Sequence, residues 1–179
     1  MTGPARVGRY RLDGVLGVGS FATAHRAVDE RLDDLVAIKI LAENHSLNPE
    51  VRERFIAEGR ALRRIDSPHV VTVHDIGESD RQQPYLVLDL ADRGTLADRV
   101  RDLRATGWSA TTTDLLAVTG HLAAALEAVH AAHLIHRDLS PANVLITTTP
   151  TNTSGEGGPG VGRVEIGRAS CRERVSNCV

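Results

Sequence analysis

Lysine is nearly missing from this chain. Of 21 basic residues in 179, only Lys39 is a lysine and the others are arginines. An excess of Ala, Arg and Gly fits the codon bias of a GC-rich bacterial genome. A lysine that survives that bias marks a place where a compact ammonium does what a guanidinium fork does not. Cysteine is missing too, since Cys171 and Cys178 lie close to the C-terminus and Met1 to Val164 has none. That excludes a disulfide framework or a cysteine-based metal site in the main body. Long apolar runs are absent: LVAIKIL is too short for a bilayer and MTGPARVGRYRLDG has no signal-like apolar region. The expectation is a cytoplasmic segment without membrane contact. No charge of one sign dominates, because 21 basic against 23 acidic residues leave −2, which gives no footprint for nucleic acid. With 41% hydrophobic residues, the chain suits one domain with a real core, or part of a larger one.

Strand-like stretches run from Tyr10 to Leu16, Ala24 to Val28, Leu35 to Leu41, Val70 to Ile76 and Tyr85 to Leu90, separated by turn or charge clusters. Five short strands with hairpin-length gaps predict an antiparallel sheet. Between the third and fourth, Asn48 as N-cap, Pro49 and Glu50 open a helix whose stripe is Val51, Phe55, Leu62 and Ile65. Glu58 lies on that apolar stripe, and a carboxylate there is costly unless paired. After Leu90 the pattern turns helical, from about Thr95 to Ala105 and from about Thr113 to Ala132, with Leu115, Leu122, Leu126 and Val129 on one face. Sheet first and helices after predict an α+β fold with segregated layers. Thr147 to Gly162, rich in Thr, Gly, Pro and Ser, has no periodicity and is expected to be disordered.

Three constellations carry chemistry. Leu16-Gly17-Val18-Gly19-Ser20-Phe21-Ala22-Thr23-Ala24 is a glycine-rich turn between the first two strands, where backbone can approach phosphate oxygens with no Cβ in the way. No helix follows it directly and no GK[ST] is present, so neither a dinucleotide fingerprint nor a P-loop applies. Val36-Ala37-Ile38-Lys39 puts the only lysine on the third strand. Paired with Glu58, it can hold an ammonium against nucleotide phosphates. His136-Arg137-Asp138-Leu139-Ser140-Pro141-Ala142-Asn143-Val144-Leu145 places a carboxylate and an amide on one loop, able to serve a nucleophile and a metal together.

In this order the glycine turn, VAIK, Glu58 and HRDxxxxN resemble the bacterial serine/threonine branch of the protein kinase family. The resemblance covers Arg9 to Val164. It implies a kinase-like α+β fold, with a five-stranded antiparallel N-lobe carrying one helix and an incomplete helical C-lobe. It implies ATP and Mg²⁺ as cofactors and a protein hydroxyl as substrate. Lys39 and Glu58 would position ATP. Asp138 would accept the hydroxyl proton and Asn143 would hold Mg²⁺. Leu16, Gly17, Val18, Gly19, Ala24 and Ala37 would surround the nucleotide. YLVLDLADRGTL is similar to the fifth strand and hinge, with Leu88 at the gatekeeper position and the backbone of Asp89 to Ala91 at the adenine edge. Small-molecule phosphotransferases share the His-x-Asp-x-x-x-x-Asn skeleton, but Arg137 favours a protein kinase.

The implied organisation is residues 1–8 as a leader, 9–90 as the N-lobe, 91–146 as a partial C-lobe through the catalytic loop, and 147–164 as the insert and the start of the next strand. Residues 165–179 form a foreign tail, because Ile166 to Val175 resembles a translated sequencing adapter. No Asp-Phe-Gly follows the catalytic loop, so this stretch by itself is expected to be inactive. Ala22 stands where the third glycine of the loop would be, Ala24 where valine is usual, and Ser140 where serine/threonine kinases carry a lysine. Ser140 and Ala22 keep a nucleotide-binding pseudokinase or scaffold open as the alternative.

Overall fold

The structure is a computed structural model that describes residues 5–147, 163–166 and 172–173. The chain divides into two compact units, Met1–Arg64 with Thr72–Leu90, and Ile65–Val71 with Ala91–Val179.

The first unit is a six-stranded antiparallel sheet in the order β1-β2-β3-β4-β6-β5. Its strands are β1 (Arg6–Val7), β2 (Tyr10–Val18), β3 (Ala22–Asp29), β4 (Asp34–Leu41), β5 (Val73–Glu78) and β6 (Pro84–Asp89). Two helices, α1 (Glu43–Ser46) and α2 (Pro49–Leu62), link β4 to β5. Sequence patterning predicts five strands. The sixth, β1, lies inside the span expected as a leader and forms because Val7 is buried beside Tyr10, Tyr85 and Val87. Val70 and Val71, expected to open β5, are buried outside any strand and go with the second unit.

Alternation along β4 sorts the core onto the two faces of the sheet. Val36 and Ile38 join Tyr10, Ala27, Tyr85 and Val87 on one face, while Leu41 joins Phe55 and Leu86 on the other, under α2. Helix α2 starts where the sequence predicts: Asn48 Oδ1 accepts the Glu50 and Val51 N–H groups at 3.0 and 3.3 Å, and Pro49 opens the helix. At the first face's edge Asp29 is 2% exposed. Burial pushes its carboxyl up, but the Arg31 N–H and the Arg9 guanidinium at 2.9 Å outweigh that and hold it below the usual range. Tyr10, desolvated there, is pushed up to about 12.

The second unit contains α3 (Leu96–Ala105), α4 (Thr112–Ala131), β7 (Leu134–Ile135), a 3₁₀ turn (Pro141–Asn143), β8 (Val144–Thr147), β9 (Arg163–Ile166) and β10 (Arg172–Glu173). Both helices begin with reciprocal capping boxes, Thr95 with Asp98 and Thr111 with Asp114. On α4, Ala125 and Val129 are buried, Leu122 and Leu126 half-buried, and Leu115 is 58% exposed. The apolar face predicted there is therefore covered only toward its C-terminal end. β8 pairs antiparallel with β9, and β10 with β7. The adapter-like stretch thus supplies the last residue of β9 and both of β10. Residues 148–162, which hold nearly all of the Thr/Gly/Pro-rich insert, lie outside the described residues. Among the described residues no helix is long and apolar enough to cross a membrane.

Candidate functional site

In the first unit the strand register gathers the predicted nucleotide residues on one face. Ala24 pairs with Gly17 and Lys39, Lys39 pairs with Leu86, and Ala37 pairs with Leu88. Directly paired residues share a face, as do Ala37 and Lys39 two positions apart. This is also the face that carries α2. Glu58 reaches down from α2, and its Oε1 accepts from Lys39 Nζ at 3.4 Å. The two side chains are only 19% and 13% exposed, so water screens the pair far less than a surface ion pair. Phe55, one helical turn before Glu58, lies under the ammonium with its ring centroid 5.5 Å from Nζ.

Gly59 sets how close α2 comes to the sheet. A Cβ there would run into the Leu86 side chain, with Ile76 Cδ1 at 3.2 Å. No motif in the sequence marks Gly59, though a glycine in a helix interior costs about 1 kcal/mol against alanine and so signals close packing.

Leu16, Gly17, Val18 and Gly19 form the exposed end of β2 and its turn into β3, with Val18 79% exposed. Gly19 N–H donates to the Ala22 carbonyl at 2.9 Å and closes the turn. Asp89 ends β6 tied to the β5 side: its carboxylate accepts from Thr72 N–H at 3.1 Å and meets His74 Nε2 at 2.6 Å. The Asp89 N–H donates to the Thr72 carbonyl at 3.2 Å. The Asp89 N–H is thus committed within the first unit. His74 was not foreseen as its partner.

The second unit holds Ala91, Asp138 and Asn143. The loop after β7 is anchored by the buried His136, whose carbonyl accepts from Asp138 N–H at 2.8 Å. Between them Arg137 adopts φ 60°, a region non-glycine residues rarely enter. The chain then turns through Pro141–Asn143, with Asn143 N–H on the Ser140 carbonyl at 2.9 Å. Asn143 Nδ2 donates to the Asp138 carbonyl at 2.8 Å and to its Oδ2 at 3.1 Å. The amide's donor end is thus spent on Asp138, which turns the Asn143 oxygen into the end a cation can use. Hard divalent cations take oxygen ligands, so the Asn143 oxygen suits Mg²⁺ chemically. The Lys39 ammonium beside small and apolar side chains on one face suits a nucleotide triphosphate in the same sense.

The chain is similar in sequence and in fold to known proteins. Residues 10–153 match the family model described as protein kinase domain. The serine/threonine-protein kinase PknA of Mycobacterium tuberculosis is 40% identical over 148 residues, covering 79% of this chain and 33% of that protein. The serine/threonine-protein kinase PksC of Streptomyces coelicolor is 36% identical over 144 residues, covering 78% and 26%. The chain therefore spans a third or less of the length of these relatives. The crystal structure of the Mycobacterium tuberculosis PknI kinase domain superposes with a TM-score of 0.69 at 24% identity, covering 93% of this chain and 61% of that one. A kinase-like fold and a family match across most of its length together place this chain in the protein kinase domain family.

Proposed function

We propose that the chain is the nucleotide-binding and catalytic-loop part of a serine/threonine protein kinase, which moves a phosphoryl group from Mg-ATP to a protein hydroxyl. The observation that carries this reading is the Lys39–Glu58 ion pair at 3.4 Å, formed by the chain's only lysine and the one carboxylate on the core stripe of α2. Lys39 holds phosphate oxygens and Glu58 keeps its ammonium in place. Leu16, Gly17, Val18, Gly19, Ala24, Ala37 and Leu88 surround the nucleotide, with Asp89 and Ala91 at the base. Asp138 takes the proton of the attacking hydroxyl, and Asn143 orients Asp138 while offering its oxygen to Mg²⁺. The cation, when bound, neutralises charge on the phosphates.

Ser140, where a lysine is usual, favours a second reading in which the nucleotide is bound but transfer is weak. It leaves one positive charge fewer near the transferring group, and electrostatic stabilisation is the main catalytic term in this chemistry. The test uses the 179-residue chain and a version extended past Val164 by the remaining kinase-domain sequence of PknA. Autophosphorylation of each is followed with labelled ATP. The extended chain is expected to transfer phosphate and to lose that ability on Asp138→Asn. The short chain is expected to show none. An extended chain that binds ATP without transfer moves the protein to the pseudokinase reading, and one that binds no ATP ends both.

A further inference from the structure

The glycine turn is held from outside by a residue that no motif contains. Three contacts tie it to the segment after β4. Ala42 N–H donates to the Phe21 carbonyl at 2.9 Å, His45 Nε2 meets the Ser20 carbonyl at 3.2 Å, and the rings of Phe21 and His45 lie 4.7 Å apart. A carbonyl only accepts, so Nε2 carries the proton and donates it. Phe21 is 51% exposed, and an exposed aromatic with one ring neighbour takes its pose from that neighbour.

The direction of these bonds has a chemical result. A trans peptide sets its C=O and N–H on opposite sides, and no cis peptide bond occurs among the described residues. With the Ser20 carbonyl turned to His45, the Phe21 N–H points away from α1. Gly19 N–H is already spent inside the turn. The Phe21 amide is thus a donor whose aim His45 sets, in a turn whose proposed work is to cover phosphate oxygens. Oriented main-chain N–H groups are anion-binding elements.

We infer that His45 is a positioning residue for phosphate recognition, aiming the Phe21 N–H through the Ser20 carbonyl and the tilted Phe21 ring against it. The inference rests on the nucleotide-binding reading above. It assigns His45 to the phosphate end of the ligand, since all three contacts lie on the turn.

The test is binding of Mg-ATP and of adenosine to the ¹⁵N-labelled extended chain and to its His45→Ala variant, with amide exchange measured without ligand. In His45→Ala, Mg-ATP is expected to weaken about tenfold, the scale of one lost hydrogen bond, while adenosine holds its affinity. His45→Gln, which restores a donor without the ring, is expected to recover part of the loss. Amide exchange at Gly19 and Ala42, the two main-chain donors flanking the contact, is expected to rise in His45→Ala. Unchanged ATP affinity, or an equal loss for adenosine, overturns the inference. Failure of the unaltered chain to bind either ligand ends the nucleotide reading instead. Unchanged exchange at Gly19 and Ala42 removes the latch on its own account.

Discussion

On the proposed reading Lys39 meets two demands, an ion pair with little water around it and a phosphate to hold. Removing it leaves Glu58, 13% exposed, without its closest cation. Lys39→Met is expected to abolish phosphate transfer in the extended chain and to cost on the order of 1–2 kcal/mol, between the values for exposed and buried pairs. Adding Glu58→Gln is expected to return most of that stability and none of the activity, read from a melt beside a transfer assay. If the double variant stays as unstable as the single one, the pair does not account for the loss. On the same reading Asp138 and Asn143 differ in role although they are hydrogen-bonded to each other at 2.8 and 3.1 Å. Asp138→Asn is expected to lower the transfer rate at constant ATP affinity, whereas Asn143→Ala is expected to raise the Mg²⁺ concentration needed for half-maximal rate. Identical metal responses would contradict this division. Ser140→Lys is expected to raise kcat, and an unchanged kcat would mean that another cation already serves that place.

Helix α2 shows what a sequence reveals and what it hides. Asn48, Pro49 and Glu50 announce its start, and Val51, Phe55 and Glu58 announce its face, because capping and periodicity act over a few neighbouring residues. The same local logic exposed the glycine turn and the HRD loop. It missed β1 and α1, which are two and four residues long and owe their form to tertiary partners such as Tyr10, Tyr85 and Phe21. It missed His45 and His74 for a related reason, since their contacts at |i−j| of 25 and 15 follow no spacing rule. Gly59 lies between these cases: visible as an anomaly in a helix, it is interpretable only with Leu86 beneath it. Gly59→Ala would gain helix propensity of about 1 kcal/mol but forces α2 off β6, and overpacking costs about 1–3 kcal/mol. The variant is expected to melt lower and to show a raised KM for ATP, because Glu58 moves with the helix. A higher melting temperature with unchanged KM would show that the sheet yields instead.

The whole molecule carries two exposures to solvent conditions that follow from its surface and its buried ionisable groups. Leu115 and Leu116 on α4 are 58% and 69% exposed side by side, an apolar patch on a helix that favours self-association. Leu115→Glu with Leu116→Glu is expected to suppress concentration-dependent light scattering while changing stability by less than about 1 kcal/mol, as is usual for surface sites. Scattering that persists would place the sticky surface elsewhere. In the first unit acid acts on the half-buried His25 and the buried Asp29. Burial holds the His25 imidazole below its ordinary 6.5, so the unfolded chain binds more protons there and stability is lost as pH falls below that value. Asp29 is held below 3.8 because the Arg31 N–H and the Arg9 guanidinium overcome its burial. Its contribution is present above 3.8 and is lost as pH falls through the lower folded value. Melting temperature against pH is therefore expected to drop in two stages, the first below about 6.5 and the second below about 3.8. His25→Gln flattens the first stage alone. Asp29→Asn reduces the second, which Asp98 and Asp114 share because hydrogen bonds from Thr95 and Thr111 hold them low as well, and it lowers stability at pH 7, where Arg9 loses its 2.9 Å partner. A His25→Gln profile with the original slope between pH 7 and 5 would assign the first stage to one of the other histidines.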